Sequence, residues 1–194
     1  MENKERKGKI IVLSAPSGSG KSTIIKELME NPELKLDFSI SATSRPPRGT
    51  EKHGKEYFFL TEEEFKRNVE EGKFVEWEEV YSGVCYGTLT SEVDRITNSG
   101  HNLIMDVDVK GGLNIKRRYG EEVLTIFIMP PDKVALEERL RNRGTDSEET
   151  ILKRLQKSEY EMSFSNQFDV IVVNDKLATA VEETESKIKE FIDR

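Results

Sequence analysis

The sequence has little cysteine and no long hydrophobic run. Among 194 residues there is one cysteine, Cys85. A single cysteine cannot form an internal disulfide, and a cysteine-based metal site needs several, so we expect a small, partly buried side chain. No apolar stretch is long enough to cross a bilayer, and the charged segment 1–9 lacks the apolar stretch of a signal peptide. We therefore expect no membrane association and a cytoplasmic location.

Histidine and net positive charge are also scarce. The two histidines, His53 and His101, lack metal-ligand spacing, and the formal net charge is -7. Because general attraction to nucleic acid requires a basic surface, we expect no nucleic acid partner. Small phosphates can still bind at one local basic site. Apolar residues make up 35% of the chain, which is enough for a hydrophobic core.

Short continuous apolar runs predict a sheet that is covered on both faces. They occupy residues 9–13, 103–107, 125–129 and 170–173. Runs of this kind are typical of buried strands. Helical stretches lie between them, and the first of these, residues 21–30, is stopped by Asn31 and Pro32. Strands that alternate with helices favour a parallel α/β sheet.

Two segments depart from this alternation. Residues 40–90 hold most of the aromatic residues, together with a helix capping box at residues 61–64, and they predict a small mixed β insertion. Residues 131–163 predict two arginine-rich helices that join at residues 143–145 and resemble a mobile lid. The predicted division of the chain is a core of residues 1–39, 91–130 and 164–194, an insertion of residues 40–90, and a lid of residues 131–163.

The most informative motif follows the first predicted strand and opens the first predicted helix. Its sequence, SAPSGSGKST at residues 14–23, matches the phosphate-binding pattern G-x-x-x-x-G-K-[ST], except that Ala15 stands at the first glycine. Alanine fits there if the backbone φ is negative. Glycines let backbone N–H groups surround phosphate oxygens, and the helix N-terminus adds partial positive charge. Lys21 can then reach the β- and γ-phosphates of a nucleotide, and the Ser22 hydroxyl can bind Mg²⁺.

Asp106 lies at the end of the apolar segment that starts at Leu103. A carboxylate in this position can support Mg²⁺ through a water molecule. An ordinary aspartate at a strand end is the alternative.

A second basic segment contains two arginines around a stiff Pro-Pro pair. Arg45 and Arg48 flank Pro46 and Pro47, and proline restricts the backbone between them. Guanidinium groups match the oxygens of a phosphate. The segment therefore predicts a second phosphate site, although a solvated basic turn is the alternative.

The combined motifs resemble the guanylate kinase family. They are Ser41-x-x-x-Arg45-x-x-Arg48, Gly54-Lys55-x-Tyr57, Phe74-Val75-Glu76-Trp77 and Tyr86-Gly87-Thr88. The loop SAPSGSGKST and the segments LIMDVDVKGG, RLRNRGTDSEETILKRL and FDVIVVND also resemble that family, in the same order over nearly the whole chain. The resemblance implies a P-loop nucleoside monophosphate kinase, with a five-stranded parallel sheet flanked by helices, a mixed β GMP-binding insertion and a helical lid.

The resemblance also implies the reaction and the residues that perform it. The γ-phosphoryl group of ATP would pass to GMP with Mg²⁺ as cofactor, in purine nucleotide metabolism, in a monomer or homodimer. The residues implied in catalysis are Lys21, Arg45, Arg139, Arg143 and Arg154. Those implied in ATP binding are Ala15, Pro16, Ser17, Gly18, Ser19, Gly20, Lys21, Ser22, Thr23 and Asn174. Those implied in GMP binding are Ser41, Arg45, Arg48, Tyr57, Glu76, Tyr86, Thr88 and Asp108. Mg²⁺ would be held by Ser22 directly and by Asp106 through water.

The chemistry of guanine agrees with the role implied for Glu76. Guanine presents two adjacent donors, N1–H and the 2-amino group, which one carboxylate accepts together, whereas adenine offers no such pair. Composition alone does not distinguish Glu76 from the other glutamates around it.

Three alternative functions remain at this point. A kinase for AMP, UMP or dTMP would not need the set of Ser41, Glu76 and Thr88. A non-catalytic guanylate-kinase-like binding module would lose loop or lid residues that this chain keeps. A P-loop GTPase would carry an Asn-Lys-x-Asp motif, which is not evident here, and would leave the insertion unexplained.

Overall fold

A computed structural model describes residues 7–81, 83–142 and 147–194 of the chain. Its contacts divide the protein into two compact units. We call residues 10–36 and 104–194 the loop unit, because they contain the glycine-rich loop. We call residues 7–9 and 37–103 the insertion unit.

The described residues form nine strands and seven α-helices. The strands are β1 (Ile10–Ser14), β2 (Leu36–Phe38), β3 (Ala42–Thr43), β4 (Phe58–Phe59), β5 (Phe74–Tyr81), β6 (Val84–Leu89), β7 (Asn102–Asp106), β8 (Val123–Met129) and β9 (Val170–Val173). The helices are α1 (Lys21–Met29), α2 (Glu62–Glu70), α3 (Thr90–Asn98), α4 (Val109–Tyr119), α5 (Lys133–Asn142), α6 (Glu148–Met162) and α7 (Leu177–Ile192).

The larger sheet is five-stranded and parallel, as predicted. Its strand order is β2-β7-β1-β8-β9. Strand β8 pairs in parallel with β1 on one side and with β9 on the other. All five residues of β1 are buried, as are six of the seven in β8. Because both faces are covered, these strands need continuous apolar sequence, which is why the four predicted runs appear as β1, β7, β8 and β9.

Helices α1 and α7 pack in one hydrophobic cluster with this sheet. Ile24 and Leu28 of α1 and Ile188 of α7 are fully buried there. Helix α1 ends at Met29, and the side chain of Asn31 caps the following turn by accepting the N–H of Glu33 at 3.0 Å. The predicted stop at Asn31 and Pro32 is therefore confirmed.

The insertion unit contains a second, mixed sheet. Its order is β4-β3-β6-β5, with β3 parallel to β4 and antiparallel to β6. Phe65 of α2 stacks on Phe74 of β5 with ring centroids 4.4 Å apart. Thr61 and Glu64 make both hydrogen bonds of the predicted capping box, which starts α2. Cys85 is partly buried against this small core, and burial raises the pKa of its thiol.

Residues 131–163 form α5 and α6, as the sequence predicts. Their predicted junction at residues 143–145 lies outside the described residues. Within the described part of the chain, none of the helices has the length and apolar character needed to span a membrane. The predicted boundaries of core, insertion and lid stay a prediction.

Candidate functional site

The loop between β1 and α1 is held by serine contacts to backbone carbonyls. The buried Ser14 hydroxyl lies within hydrogen-bond distance of the carbonyl oxygens of Val107 (3.0 Å) and Asp108 (3.2 Å). The N–H and the hydroxyl of Ser19 both donate to the carbonyl of Pro16, at 3.2 and 2.8 Å. These contacts hold residues 14–19 in one defined turn in front of α1.

Gly20 has a backbone conformation that suits glycine. Its φ is 87° and it forms the N-cap of α1, and a side chain would be strained in this left-handed region. Because glycine cannot cap with a side chain, N–H groups in the first turn of α1 stay available to an anion. Among the described residues, Lys35 is the single non-glycine with positive φ. Ala15 therefore fits the place of the first motif glycine without strain.

Lys21 is paired with a carboxylate from the neighbouring strand end. Its ammonium group forms an ion pair with Asp106, and the two side chains are 17% and 34% exposed. Lys21 also lies 3.5 Å from the carbonyl oxygen of Val107. Ser22 is exposed in the first turn of α1. The loop unit thus brings the predicted lysine and strand-end carboxylate into contact, and Ser22 follows Lys21 directly in the chain.

Asn174 follows β9 and bonds to the loop directly. Its side-chain amide donates to the carbonyl of Ser19 at 2.7 Å, and its own carbonyl accepts from Arg139 at 2.9 Å. Arg139 also lies 3.5 Å from the carbonyl of Asp175. The structure therefore joins Asn174, Arg139 and the loop in one set of hydrogen bonds.

The remaining lid arginines have different surroundings. Arg154 is partly buried on α6, and Arg143 lies outside the described residues. Arg141, which the sequence motifs did not single out, instead bonds to carboxylates of Glu137 and Glu148 at 2.9 and 2.5 Å. It joins α5 to α6 and makes the surface pairing that is ordinary for arginine.

Glu161 is a buried carboxylate that none of the sequence motifs indicated. It is 7% exposed, and within the described residues its Oε2 atom has no hydrogen-bond partner. Burial raises the pKa of its carboxyl group, while Lys157, Lys21 and the Ser17 backbone N–H act in the opposite direction. Ile151, Ser158 and Glu161 form the buried side of α6, so helical spacing alone could have placed Glu161 there.

Asp108 caps helix α4. Its Oδ1 accepts the N–H of Gly111 at 2.7 Å. The residue belongs to the loop unit, whereas the other residues implied in GMP binding belong to the insertion unit.

In the insertion unit, Arg45 is almost fully buried among polar and aromatic groups. It is 7% exposed. Its guanidinium donates two parallel hydrogen bonds to Glu51 at 2.7 and 2.8 Å, and a third to the Tyr86 hydroxyl at 3.1 Å. The same group lies 5.0 Å from the centroid of the Tyr57 ring. The structure thus brings together three residues that the sequence placed around a phosphate.

Glu51 also accepts the backbone N–H of Arg48 at 2.7 Å. The Arg45 side chain and this N–H lower the pKa of the Glu51 carboxyl to about 2. In return, the hydrogen bonds that Arg45 donates to Glu51 raise the pKa of the Arg45 guanidinium. The side chain of Arg48 is exposed. The Glu51 carboxylate therefore accepts hydrogen bonds from both Arg45 and Arg48.

Glu76 and Thr88 face each other across β5 and β6. They are partners in the antiparallel register, and the Thr88 hydroxyl donates to Glu76 Oε1 at 2.8 Å. Thr88 is buried and Glu76 partly buried, whereas Glu78 and Glu79 on the same strand are exposed. Ser41 precedes Ala42, whose partner in β6 is Gly87, the neighbour of Thr88. The three predicted base-binding residues therefore lie at one place in this sheet.

Glu51 was missed because its role depends on where the chain turns. It lies six residues after Arg45 and three after Arg48, so a local countercharge was the signal available in the sequence. No metal-like cluster of three or more histidine, cysteine or acidic residues occurs in residues 7–81, 83–142 and 147–194.

Comparisons with known proteins agree over nearly the whole chain. The family model described as guanylate kinase matches residues 7–193. A guanylate kinase from Bacteroides thetaiotaomicron is 55% identical over 191 residues, which cover 98% of this chain and 93% of that protein. One from Porphyromonas gingivalis is 53% identical over 184 residues, covering 95% of this chain and 98% of that protein.

A solved structure of a guanylate kinase also matches this chain. The crystal structure of guanylate kinase from Anaplasma phagocytophilum has a TM-score of 0.70 and 28% sequence identity. The match covers 97% of this chain and 88% of that one.

Proposed function

The chain belongs to the guanylate kinase family and is an ATP:GMP phosphotransferase, and we propose that its loop unit holds ATP while its insertion unit holds GMP. The observation that carries this assignment is the Glu76 carboxylate, which is partly buried and bonded to Thr88 at 2.8 Å. A carboxylate held in this way suits the paired donors of guanine. The products would be ADP and GDP.

The phosphate of GMP would bind at Arg45 and Arg48, with the hydroxyl groups of Tyr57 and Tyr86 as further donors. The support is the pair of hydrogen bonds between Arg45 and Glu51, at 2.7 and 2.8 Å. A phosphate offers pairs of oxygens with a spacing similar to that in a carboxylate, so the donors that hold Glu51 would also suit a phosphate in its place. The aromatic rings beside Arg45 keep its guanidinium in one orientation.

The guanine base would be read by Ser41, Glu76 and Thr88, with Asp108 as a further residue implied by the family. The Thr88 hydroxyl donates to Oε1 of Glu76 at 2.8 Å and helps to orient that carboxylate. An adenine ring in the same place would set an acceptor against the carboxylate, and the unpaired polar groups would weaken its binding. Selectivity for GMP over AMP follows from this arrangement.

The donor phosphates would lie on the backbone of residues 15–20, with Lys21 at the β- and γ-phosphates and Asn174 and Thr23 at the rim of the site. Phosphoryl transfer needs alignment and neutralisation of charge more than covalent help. Because the GMP phosphate is already anionic, no general base is required. Its oxygen bonds to the γ-phosphorus while the bond to the β–γ bridging oxygen of ATP breaks, and ADP leaves. Arg139, Arg143 and Arg154 would neutralise the transferred group.

The residues at the loop suit Mg²⁺. Ser22 and Asp106 are exposed oxygen donors at the start of α1 and the end of β7, and Mg²⁺ prefers a few such protein oxygens together with phosphate oxygens and water. Ser22 would bind the ion directly and Asp106 through water. When bound, Mg²⁺ would neutralise charge on the β- and γ-phosphates.

Cellular context follows from the substrates. We propose that the protein works in the cytoplasm, where its product GDP enters purine nucleotide metabolism, and that it acts as a monomer or homodimer on the two small substrates.

The test is ADP release from purified protein with ATP and Mg²⁺, with GMP, AMP, UMP and dTMP added in turn. We expect release that depends on GMP and is negligible with the other three. Equal release with AMP would refute the role given to Glu76. Release without any acceptor would indicate a nucleoside triphosphatase. No release from a folded protein that still binds GMP would indicate a binding module.

A further inference from the structure

We propose that Asn174 is a positioning residue for the loop that binds the donor phosphates, and that it acts through the peptide bond between Ser19 and Gly20. The inference rests on the proposed function and gives Asn174, which the resemblance implies in ATP binding, a role other than direct contact with the nucleotide base. Asn174 is 4% exposed. Its side-chain amide donates to the Ser19 carbonyl at 2.7 Å, across 155 positions of sequence.

The bond to Ser19 sets the direction of the next N–H group. The C=O of Ser19 and the N–H of Gly20 belong to one planar trans peptide, so they point in opposite directions. Because Asn174 holds the oxygen on its own side, the Gly20 N–H points away from Asn174. A phosphate bound in the loop requires N–H groups that are turned toward it. If these groups are oriented before the phosphate binds, the free-energy cost of ordering them does not reduce its affinity.

The contact between the loop and Asn174 leaves no room for a side chain. A Cβ added to Gly20 would lie 2.4 Å from the Asn174 amide nitrogen. Glycine is therefore required at position 20 for two reasons. Its backbone φ is 87°, and Asn174 lies too close for a side chain. The motif glycine and Asn174 form one packed unit.

The backbone of Asn174 extends the connection to β8 and α5. Its N–H donates to the carbonyl of Met129 at 2.8 Å. Its carbonyl accepts from Arg139 at 2.9 Å. The buried residue Asn174 therefore connects the end of the sheet, the phosphate loop and an arginine of the lid helix. These hydrogen bonds fix the position of the loop relative to the end of the sheet.

The variant Asn174→Asp tests the donor role at constant size. It replaces the amide donor with an oxygen that faces the Ser19 carbonyl, and we expect the KM for ATP to rise about 10-fold to 100-fold, the range for leaving a buried acceptor unpaired. The KM for GMP should change less than about twofold, since all the residues implied in GMP binding except Asp108 lie in the insertion unit. Asn166→Asp is the matched control, because Asn166 is exposed in the same unit.

A comparison of donors separates positioning from recognition of adenine. If Asn174 acts through the loop, Asn174→Asp weakens ATP, ITP and inorganic tripolyphosphate by the same factor, the last measured as a competitive inhibitor. A loss confined to ATP would overturn the proposal, because ITP lacks the 6-amino group and tripolyphosphate lacks a base. Tripolyphosphate binding measured by calorimetry does not depend on phosphoryl transfer, so this test stands even if the proposed reaction fails.

A second variant and a wild-type measurement keep the proposal testable if the aspartate variant does not fold. Asn174→Ala removes the donor without adding repulsion, and we expect the same pattern with a smaller factor. In the wild-type protein, the side-chain amide hydrogens of Asn174 should exchange slowly with solvent by NMR. Rapid exchange, or unchanged tripolyphosphate affinity in a folded Asn174→Ala, would refute the positioning role.

Discussion

The two units pair their principal cation with a carboxylate in different ways. In the loop unit, Lys21 meets Asp106, which is 34% exposed, and the surrounding loop is held by hydrogen bonds to backbone carbonyl groups. In the insertion unit, Arg45 is 7% exposed, and side chains that include Glu51, Tyr57 and Tyr86 surround it. The first region is organised mainly by peptide groups, and the second mainly by side chains.

This difference predicts how each region responds to substitution. A site built from backbone groups loses function when the lysine or the residue that orients the peptides is changed. A site built from side chains depends on each partner and on its state of charge. The following changes test that distinction, from the largest expected effect to the smallest.

Lys21→Ala should have the largest effect. Removal of the charge that stabilises the transferring phosphates should lower kcat by about 10³-fold, the upper range for loss of one such donor. GMP affinity, measured by calorimetry, should stay unchanged because all the residues implied in GMP binding except Asp108 belong to the insertion unit. Lys26→Ala is the control, since Lys26 is exposed on the same helix. A kcat within about tenfold of wild type would contradict the role of Lys21.

Glu76→Gln should break base recognition while the shape of the side chain is kept. A glutamine amide cannot accept both guanine donors, so we expect kcat/KM for GMP to fall about 100-fold. The Kd for ATP should stay constant. Glu78→Gln changes an exposed glutamate of the same strand and should be neutral. Unchanged selectivity for GMP over AMP in Glu76→Gln would show that guanine is recognised elsewhere.

Arg139→Ala and Arg141→Ala form a matched pair on α5. Arg139 bonds to the carbonyl of Asn174, whereas Arg141 bonds to exposed carboxylates. We expect Arg139→Ala to lower kcat/KM for ATP about tenfold, and Arg141→Ala to change it less than about twofold, because surface ion pairs contribute little. If steady-state kinetics showed that both variants lose kcat/KM for ATP by the same factor, the different roles given to Arg139 and Arg141 would be wrong.

Glu51→Gln should produce the smallest effect, visible as a dependence of stability on pH. The pKa of Glu51 is lowered from 4.5 to about 2 by its hydrogen bond with Arg45. A depressed pKa means that the ionised form stabilises the fold above pH 4.5 and that this contribution is lost as the pH falls toward 2. The difference in Tm between wild type and Glu51→Gln should therefore be constant above about pH 5 and shrink below it.

Thermal unfolding between pH 2.5 and pH 7, with Glu63→Gln as the exposed control, gives this measurement. A Tm difference that stays the same across the whole range would mean that Glu51 is not held in its ionised form by Arg45.

The sequence predicted those parts of the fold that depend on neighbours along the chain. The apolar runs gave β1, β7, β8 and β9 because strands buried on both faces have no polar alternation. The capping box at Thr61 and Glu64 located the start of α2, since both of its hydrogen bonds are local. The strand β2 was not identified, because an element of three residues carries too little periodicity to be recognised.

The residues of the candidate sites also divide into those that neighbours along the chain define and those that only tertiary contacts define. Residues 14–23 are contiguous, so the phosphate motif could be read directly from the order of residues. Glu76 and Thr88 are twelve positions apart, and only the register of β5 with β6 brings them into contact. Glu51 and Glu161 escaped detection because their importance comes from what surrounds them, namely the forked guanidinium of Arg45 and the closed side of α6.

The sequence by itself therefore determined the glycine-rich turn between β1 and α1, the strands of the parallel sheet and the family to which the chain is similar. These depend on local geometry and hydrophobicity, which each short segment carries within itself. Only the tertiary structure decided that Asn174 reaches the Ser19 carbonyl and that Glu51 occupies the fork of Arg45. Those contacts depend on where separate segments come together, because a hydrogen bond forms only when two groups lie within about 3 Å in the right orientation.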